Sequence, residues 1–155
     1  FGQIEPIVVS SLAKAMGLPG GLILASEVRM QNFRRSPYYT AASPMAPAYL
    51  HAYLHADAIY EEERTHLYNS IKYFREHLGQ IKGIRSLSDY PVFACSHSGL
   101  AEYLYQRKIL ISSFSYPKPT DDVITRIILN SHHTQSDLDQ LLHALHDNPH
   151  TVHDK

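Results

Sequence analysis

Residues 10–21 read SSLAKAMGLPGG, and Gly17, Pro19 and Gly20 within them exclude a continuous helix. A short β-branched run, Ile7-Val8-Val9-Ser10, leads in, and a glycine-bounded apolar run, GGLILA at 20–25, leads out. Both runs read as buried strands. The segment between them must then be a tight, glycine-hinged loop that presents its one lysine, Lys14, from the end of a strand.

A lysine held on a rigid loop can attack a carbonyl and form a Schiff base once its amine is deprotonated. The glycines let the backbone approach a bulky ligand, and Ser10, Ser11 and the loop N–H groups can cradle a phosphate. Two other readings stand beside this one. Lys14 can be a surface lysine in a glycine-containing connection, or Ser11-Leu12-Ala13-Lys14 can be the S-x-x-K of a serine acyl-enzyme. The last reading lacks its companions: no K-T-G triplet or S-D-N is present, and glycine and proline break the helix that the serine should open.

Beyond the loop, a short helix is expected from Ser26 to Arg34. SPYYTAASP (36–44) reads as an irregular turn, with Ser43-Pro44 as N-cap and first helical residue. Met45, Ala48, Tyr49, Ala52, Tyr53, Ala56 and Tyr60 then recur at helical spacing, and Leu67, Ile71, Phe74 and Leu78 continue the pattern to Gly79. This predicts one long helix or two abutting ones. After Gly83 the chain alternates: strands at Ile84–Leu87 and Pro91–Cys95, a helix at Gly99–Arg107, a strand at Ile109–Ser112, a Pro117-Lys118-Pro119 turn, and a strand at Ile124–Leu129. Thr134-Gln135-Ser136-Asp137 has the form of a capping box, followed by a helix with Leu138, Leu141, Leu142 and Leu145 on one face. Residues 80–148 are thus expected to form a compact α+β unit.

With 155 residues, 44% of them hydrophobic, the chain is long enough for one domain or for part of a larger enzyme. Lys and Arg number 14 against 15 acids, so no long-range field points to nucleic acid or to an acidic membrane surface. Cys95 is the single cysteine, and no apolar run nears the roughly 20 residues that span a bilayer. A reducing, cytoplasmic setting is expected. The chain opens at Phe1 without the features of a signal peptide, as if in the middle of something.

Eleven histidines raise the question of a metal. His51 and His55 share a helix face at the i, i+4 spacing that zinc uses, without the glutamate of a zinc-protease signature. His143, His146, His150 and His153 repeat near the tail on what reads as a solvated face. His132-His133 lies close in sequence to Arg126. No metal is expected.

The order of three segments resembles the C-terminal part of fold-type I pyridoxal-phosphate enzymes, most closely the α-oxoamine synthases. SSLAKAMGLPGG resembles that family's lysine loop, YYTAASPMAPA its turn before the long interdomain helix, and TRIILNSHHTQSDLDQLLHAL its closing arginine strand, histidine-threonine and final helix. The resemblance implies an α/β fold: residues 1–43 as the end of the cofactor-binding large domain and its sheet, 44–80 as the interdomain helix, 81–148 as a small α+β domain, and 149–155 as a tail. It implies that Lys14 carries pyridoxal 5'-phosphate and serves as acid/base, that Ser11 binds the phosphate, and that Thr40 reaches the phosphate of a neighbouring subunit in a homodimer with shared active sites. It further implies that Arg126 clamps the carboxylate of an amino-acid substrate. A guanidinium fork suits that task, and the bland alternative is an edge-strand arginine facing water.

The implied reaction condenses an amino acid with an acyl-CoA, as in 8-amino-7-oxononanoate synthesis. An aminotransferase of the same fold and a noncatalytic remnant are the alternatives. Three departures from the family pattern are visible: Ala41 stands where a second hydroxyl is usual, the loop at Tyr116-Pro117-Lys118-Pro119 is short, and Arg126 is a lone arginine in its strand. Such enzymes also need an aspartate for the pyridine nitrogen and a ring stacked on the cofactor, both well upstream of the lysine. Only thirteen residues precede Lys14, so the expectation is a fragment, inactive by itself.

Overall fold

The computed structural model describes residues 4–148, and the expected tail at 149–155, with His150 and His153, lies outside them. The chain divides into two compact units, residues 1–61 and 62–155.

In the first unit, β1 (Val8–Ser11) and β2 (Gly21–Leu24) pair antiparallel, Val8 opposite Leu24 and Ser11 opposite Gly21. The expected strands are therefore present, but they are not buried: every β1 residue is exposed and β2 keeps only Leu22 half-covered. A two-stranded ribbon has two faces, and among the described residues no layer covers either one.

α1 (Glu27–Arg34) follows with Ser26 at its N-cap. The expected irregular turn is instead a short helix, α2 (Pro37–Ala41), whose N-cap Ser36 accepts a hydrogen bond from the Tyr39 N–H at 3.2 Å. Of the two Ser-Pro pairs it is the first that caps a helix. Ser43-Pro44 lies in an extended connection, and α3 (Pro47–His55) begins three residues later with Ala46 at its N-cap. The periodic segment is two helices, because the chain breaks at Ala56 (φ −101°, ψ 13°) before α4 (Asp57–Leu78).

The second unit is a four-stranded antiparallel sheet, order β3-β4-β6-β5, from β3 (Ile84–Ser86), β4 (Val92–Cys95), β5 (Ser112–Ser115) and β6 (Val123–Ile128). α4, α5 (Leu100–Tyr105) and α6 (Gln135–His146) supply the apolar side chains that pack on the sheet. Ile71, Phe74 and Leu78 meet Phe93, Leu104, Ile127, Leu138 and Leu145 in one core. Strand alternation sorts the sheet. Phe93 and Ile127, paired in register, face the helices, while Ala94, Ile124, Arg126 and Ile128 face the other way.

The expected strand at Ile109–Ser112 begins later. Lys108 turns the chain with φ 64°, Ile109 and Ile111 pack against the core, and ladder pairing with β6 starts at Ser112. The capping box forms as expected: Thr134 Oγ1 accepts from the Asp137 N–H, and Asp137 Oδ2 accepts from the Thr134 N–H at 2.8 Å.

Candidate active-site residues

The Lys14 loop is closed by its own backbone. The Leu12 N–H donates to Gly20 O and the Leu18 N–H to Leu12 O, each at 3.0 Å, and the Gly17 N–H donates to Lys14 O at 3.2 Å. Gly17 sits at φ +63°, the left-handed conformation that glycine takes most readily. Leu12 alone in the loop is buried and anchors it, and the hydroxyl of Tyr60 on α4 donates to Met16 O at 3.0 Å. A Cβ on Gly20 would meet the flexible end of the Met45 side chain, and the φ of +139° at this position favours glycine. The result is a braced loop with Lys14 and Ser11 on its exposed surface.

Thr40 stands on α2, also exposed. Its hydroxyl donates back to Pro37 O at 3.1 Å, with Ser36 O at 3.4 Å. Ser11, Lys14 and Thr40 thus share the first unit, and Arg126 belongs to the second.

Arg126 is not on an edge strand. It sits on β6, laddered to β4 on one side and β5 on the other, with Ala94 and Ser112 directly opposite it. Its cross-strand neighbours are thus small on both flanks, and Ile124 and Ile128 stand on the same face of β6. Arg126 Nε is buried and has no hydrogen-bond partner among the described residues. A buried donor without an acceptor costs roughly 1–3 kcal/mol, more when charged, and a ligand carboxylate would relieve that cost. The guanidinium carbon lies over the Phe114 ring, 5.4 Å from its centroid.

His51 and His55 face each other as rings, centroids 4.3 Å apart, His146 Nε2 lies 3.2 Å from Leu78 O, and no group of three potential ligands forms among the described residues. His133 Nδ1 accepts from the Asn130 N–H at 3.2 Å, shaping the turn after β6. No helix among the described residues is long and apolar enough to cross a membrane.

Two residues at these places escape a reading of the sequence: Tyr60, whose helical spacing marks only a packed face, and Phe114, whose position beside Arg126 depends on strand register.

The sequence profile of the aminotransferase class I and II family matches residues 2–145. The chain belongs to that family. It is 30% identical over 154 residues to the 8-amino-7-oxononanoate synthase of Stutzerimonas stutzeri, covering 90% of this chain and 38% of the relative. The solved 8-amino-7-oxononanoate synthase of Francisella tularensis shares its fold with a TM-score of 0.66 at 27% identity, over 90% of this chain and 44% of that one. A serine palmitoyltransferase from S. paucimobilis, solved with a pyridoxal-phosphate–myriocin aldimine bound, matches with a TM-score of 0.70 at 15% identity, over 93% of this chain and 39% of that one, a likeness of fold alone. The chain therefore spans about two-fifths of the length of the relatives it matches.

Proposed function

We propose that this chain serves as the C-terminal part of a pyridoxal-phosphate-dependent acyltransferase that condenses an amino acid with an acyl-CoA, in the manner of 8-amino-7-oxononanoate synthases. The observation that carries the reading is Arg126: within a chain of this family, its cation stands on the sheet face turned away from the helices with a buried donor unmet. In the same reading residues 1–43 close the large domain, 44–80 join it to the small domain at 81–148, and the exposed ribbon and helices of the first unit are covered by the rest of a cytoplasmic homodimer.

The residues present fit the cofactor. Lys14 offers an exposed amine on a loop fixed by its own hydrogen bonds, and Ser11 offers a hydroxyl at the end of β1 for the phosphate. Thr40 supplies a further phosphate contact across the dimer, at the cost of its bond to Pro37 O. The cofactor, when bound, supplies an electron sink for a carbanion at the amino acid's α-carbon. Lys14 anchors it and, once freed, takes and returns the α-proton at its ε-amine. Arg126 orients the substrate by bidentate contact with its carboxylate.

The test is made on the full-length protein. A visible absorbance band lost in Lys14→Ala supports the cofactor site. Thiol release from amino acid plus acyl-CoA supports the synthase, and its absence with every common acyl donor overturns it. Amino-group transfer to a keto acid in its place would establish the aminotransferase alternative, which the breadth of the matched family keeps open.

A further inference from the structure

The register between β5 and β6 places Ser112 opposite Arg126 and Phe114 opposite Ile124. Phe114 is thus the diagonal neighbour of Arg126 on the open sheet face. The 5.4 Å from the guanidinium carbon to the ring centroid lies within the roughly 6 Å over which an aromatic face attracts a cation. Tyr116 meets the Phe114 ring edge-on, centroids 6.4 Å apart and planes at 90°, and so braces it. Arg126 Nε has no hydrogen-bond partner among the described residues, and the flanking Ala94 and Ser112 are too small to grip the guanidinium.

An arginine on a sheet face has many rotamers, and reading a carboxylate in bidentate fashion requires one of them. A ring that attracts the cation through its π-face restricts those rotamers without consuming N–H donors. We propose that Phe114 is a positioning residue for Arg126, holding the guanidinium by its face so that its N–H groups stay available to the substrate carboxylate. The inference rests on the reading of Arg126 given above.

The test compares Phe114→Leu, Phe114→Tyr, Arg126→Ala and the Phe114→Leu/Arg126→Ala pair in the full-length protein. Phe114 is 43% exposed, so these changes leave the fold intact, which thermal unfolding followed by circular dichroism verifies. Phe114→Leu is expected to raise KM for the amino acid about two- to fivefold with kcat little changed, whereas Phe114→Tyr restores the native value. In the Arg126→Ala background Phe114→Leu should add nothing. A second readout needs no turnover: phenylglyoxal modification of Arg126, located by peptide mass, should speed up about two- to fivefold in Phe114→Leu.

A folded Phe114→Leu protein with KM and modification rate both unchanged overturns the inference, as does an equal Phe114→Leu effect with and without Arg126. Should Arg126→Ala itself leave KM unchanged, the carboxylate reading fails and takes this role with it. A raised KM in Arg126→Ala beside an unaltered Phe114→Leu removes the role of Phe114 alone.

Discussion

Residues 4–61 and 62–148 differ in how they treat their apolar side chains. Among the described residues every fully buried hydrophobic side chain except Leu12 lies in the second region, where Phe74, Phe93, Leu104 and Leu145 are wholly enclosed. The first region leaves Val9, Val28, Tyr38 and Leu54 more than half exposed. Both regions form their hydrogen-bonded elements, so the contrast lies in packing and not in backbone order. It teaches that the β4/β6 sheet with its helices carries its own core, while the lysine loop region holds its local shape through backbone bonds and displays surfaces suited to a partner layer.

The largest expected effect tests this directly. Phe74, fully enclosed and edge-on to Phe93 at 4.8 Å, should cost about 3–5 kcal/mol as Phe74→Ala, whereas Val9→Ala should cost under about 0.5 kcal/mol. Urea titrations of the chain measure both, and equal losses would erase the contrast. Next come two glycines at positive φ. A Cβ at Gly83 would lie 2.7 Å from His97 Nε2 and Ser96 Oγ, whereas one at Gly17 meets nothing within 4 Å. Gly83→Ala should therefore cost about 2 kcal/mol and Gly17→Ala about 1 kcal/mol, read as shifts in the urea midpoint.

A further effect depends on pH. Burial pushes the Cys95 thiol up to about 11, against a slight opposing hydrogen bond from the Ile127 backbone. The unfolded thiol ionises first as pH rises, so this group's contribution is whole below its ordinary range and is lost as pH climbs through the folded value. Between about pH 9 and 11 the native chain should lose about 1–2 kcal/mol more than Cys95→Ala, a figure reduced for the thiol's partial exposure. Thr134→Ala should cost about 1 kcal/mol for the lost cap. The Thr134 hydroxyl and N–H hold Asp137 below the usual carboxylate range, so that support persists above the ordinary range and disappears as pH falls through the depressed value. Thr134→Ala should flatten the acid limb of a stability–pH profile.

What the sequence reveals follows from how local each signal is. The capping box at Thr134 and the leucines of α6 need only neighbours within a few residues, and both stand as read. The lysine loop is legible for the same reason, since Gly17, Pro19 and Gly20 exclude other geometries. The cover of β1 and β2 depends on residues distant in the chain, and there the reading fails: β-branched runs reveal strands, not what lies against them. Two Ser-Pro pairs look alike in composition, and only the Tyr39 N–H bond shows that Ser36 caps a helix. The apolar period running through Ala52, Tyr53, Ala56 and Tyr60 hides the break at Ala56, because a single change of backbone angle leaves the pattern intact. At the candidate site, Arg126 is conspicuous as a lone charge in an apolar run, but Phe114 becomes its neighbour only once β5 is paired with β6.

The alternation along β6 binds two fates together. Sliding that strand by one position would bring Ile127 out into water and thrust Arg126 among the leucines, so any misalignment that misplaces this cation is equally fatal to the fold that carries it. Side chains on this face can be changed one at a time, but the strand cannot shift without disrupting the core behind it.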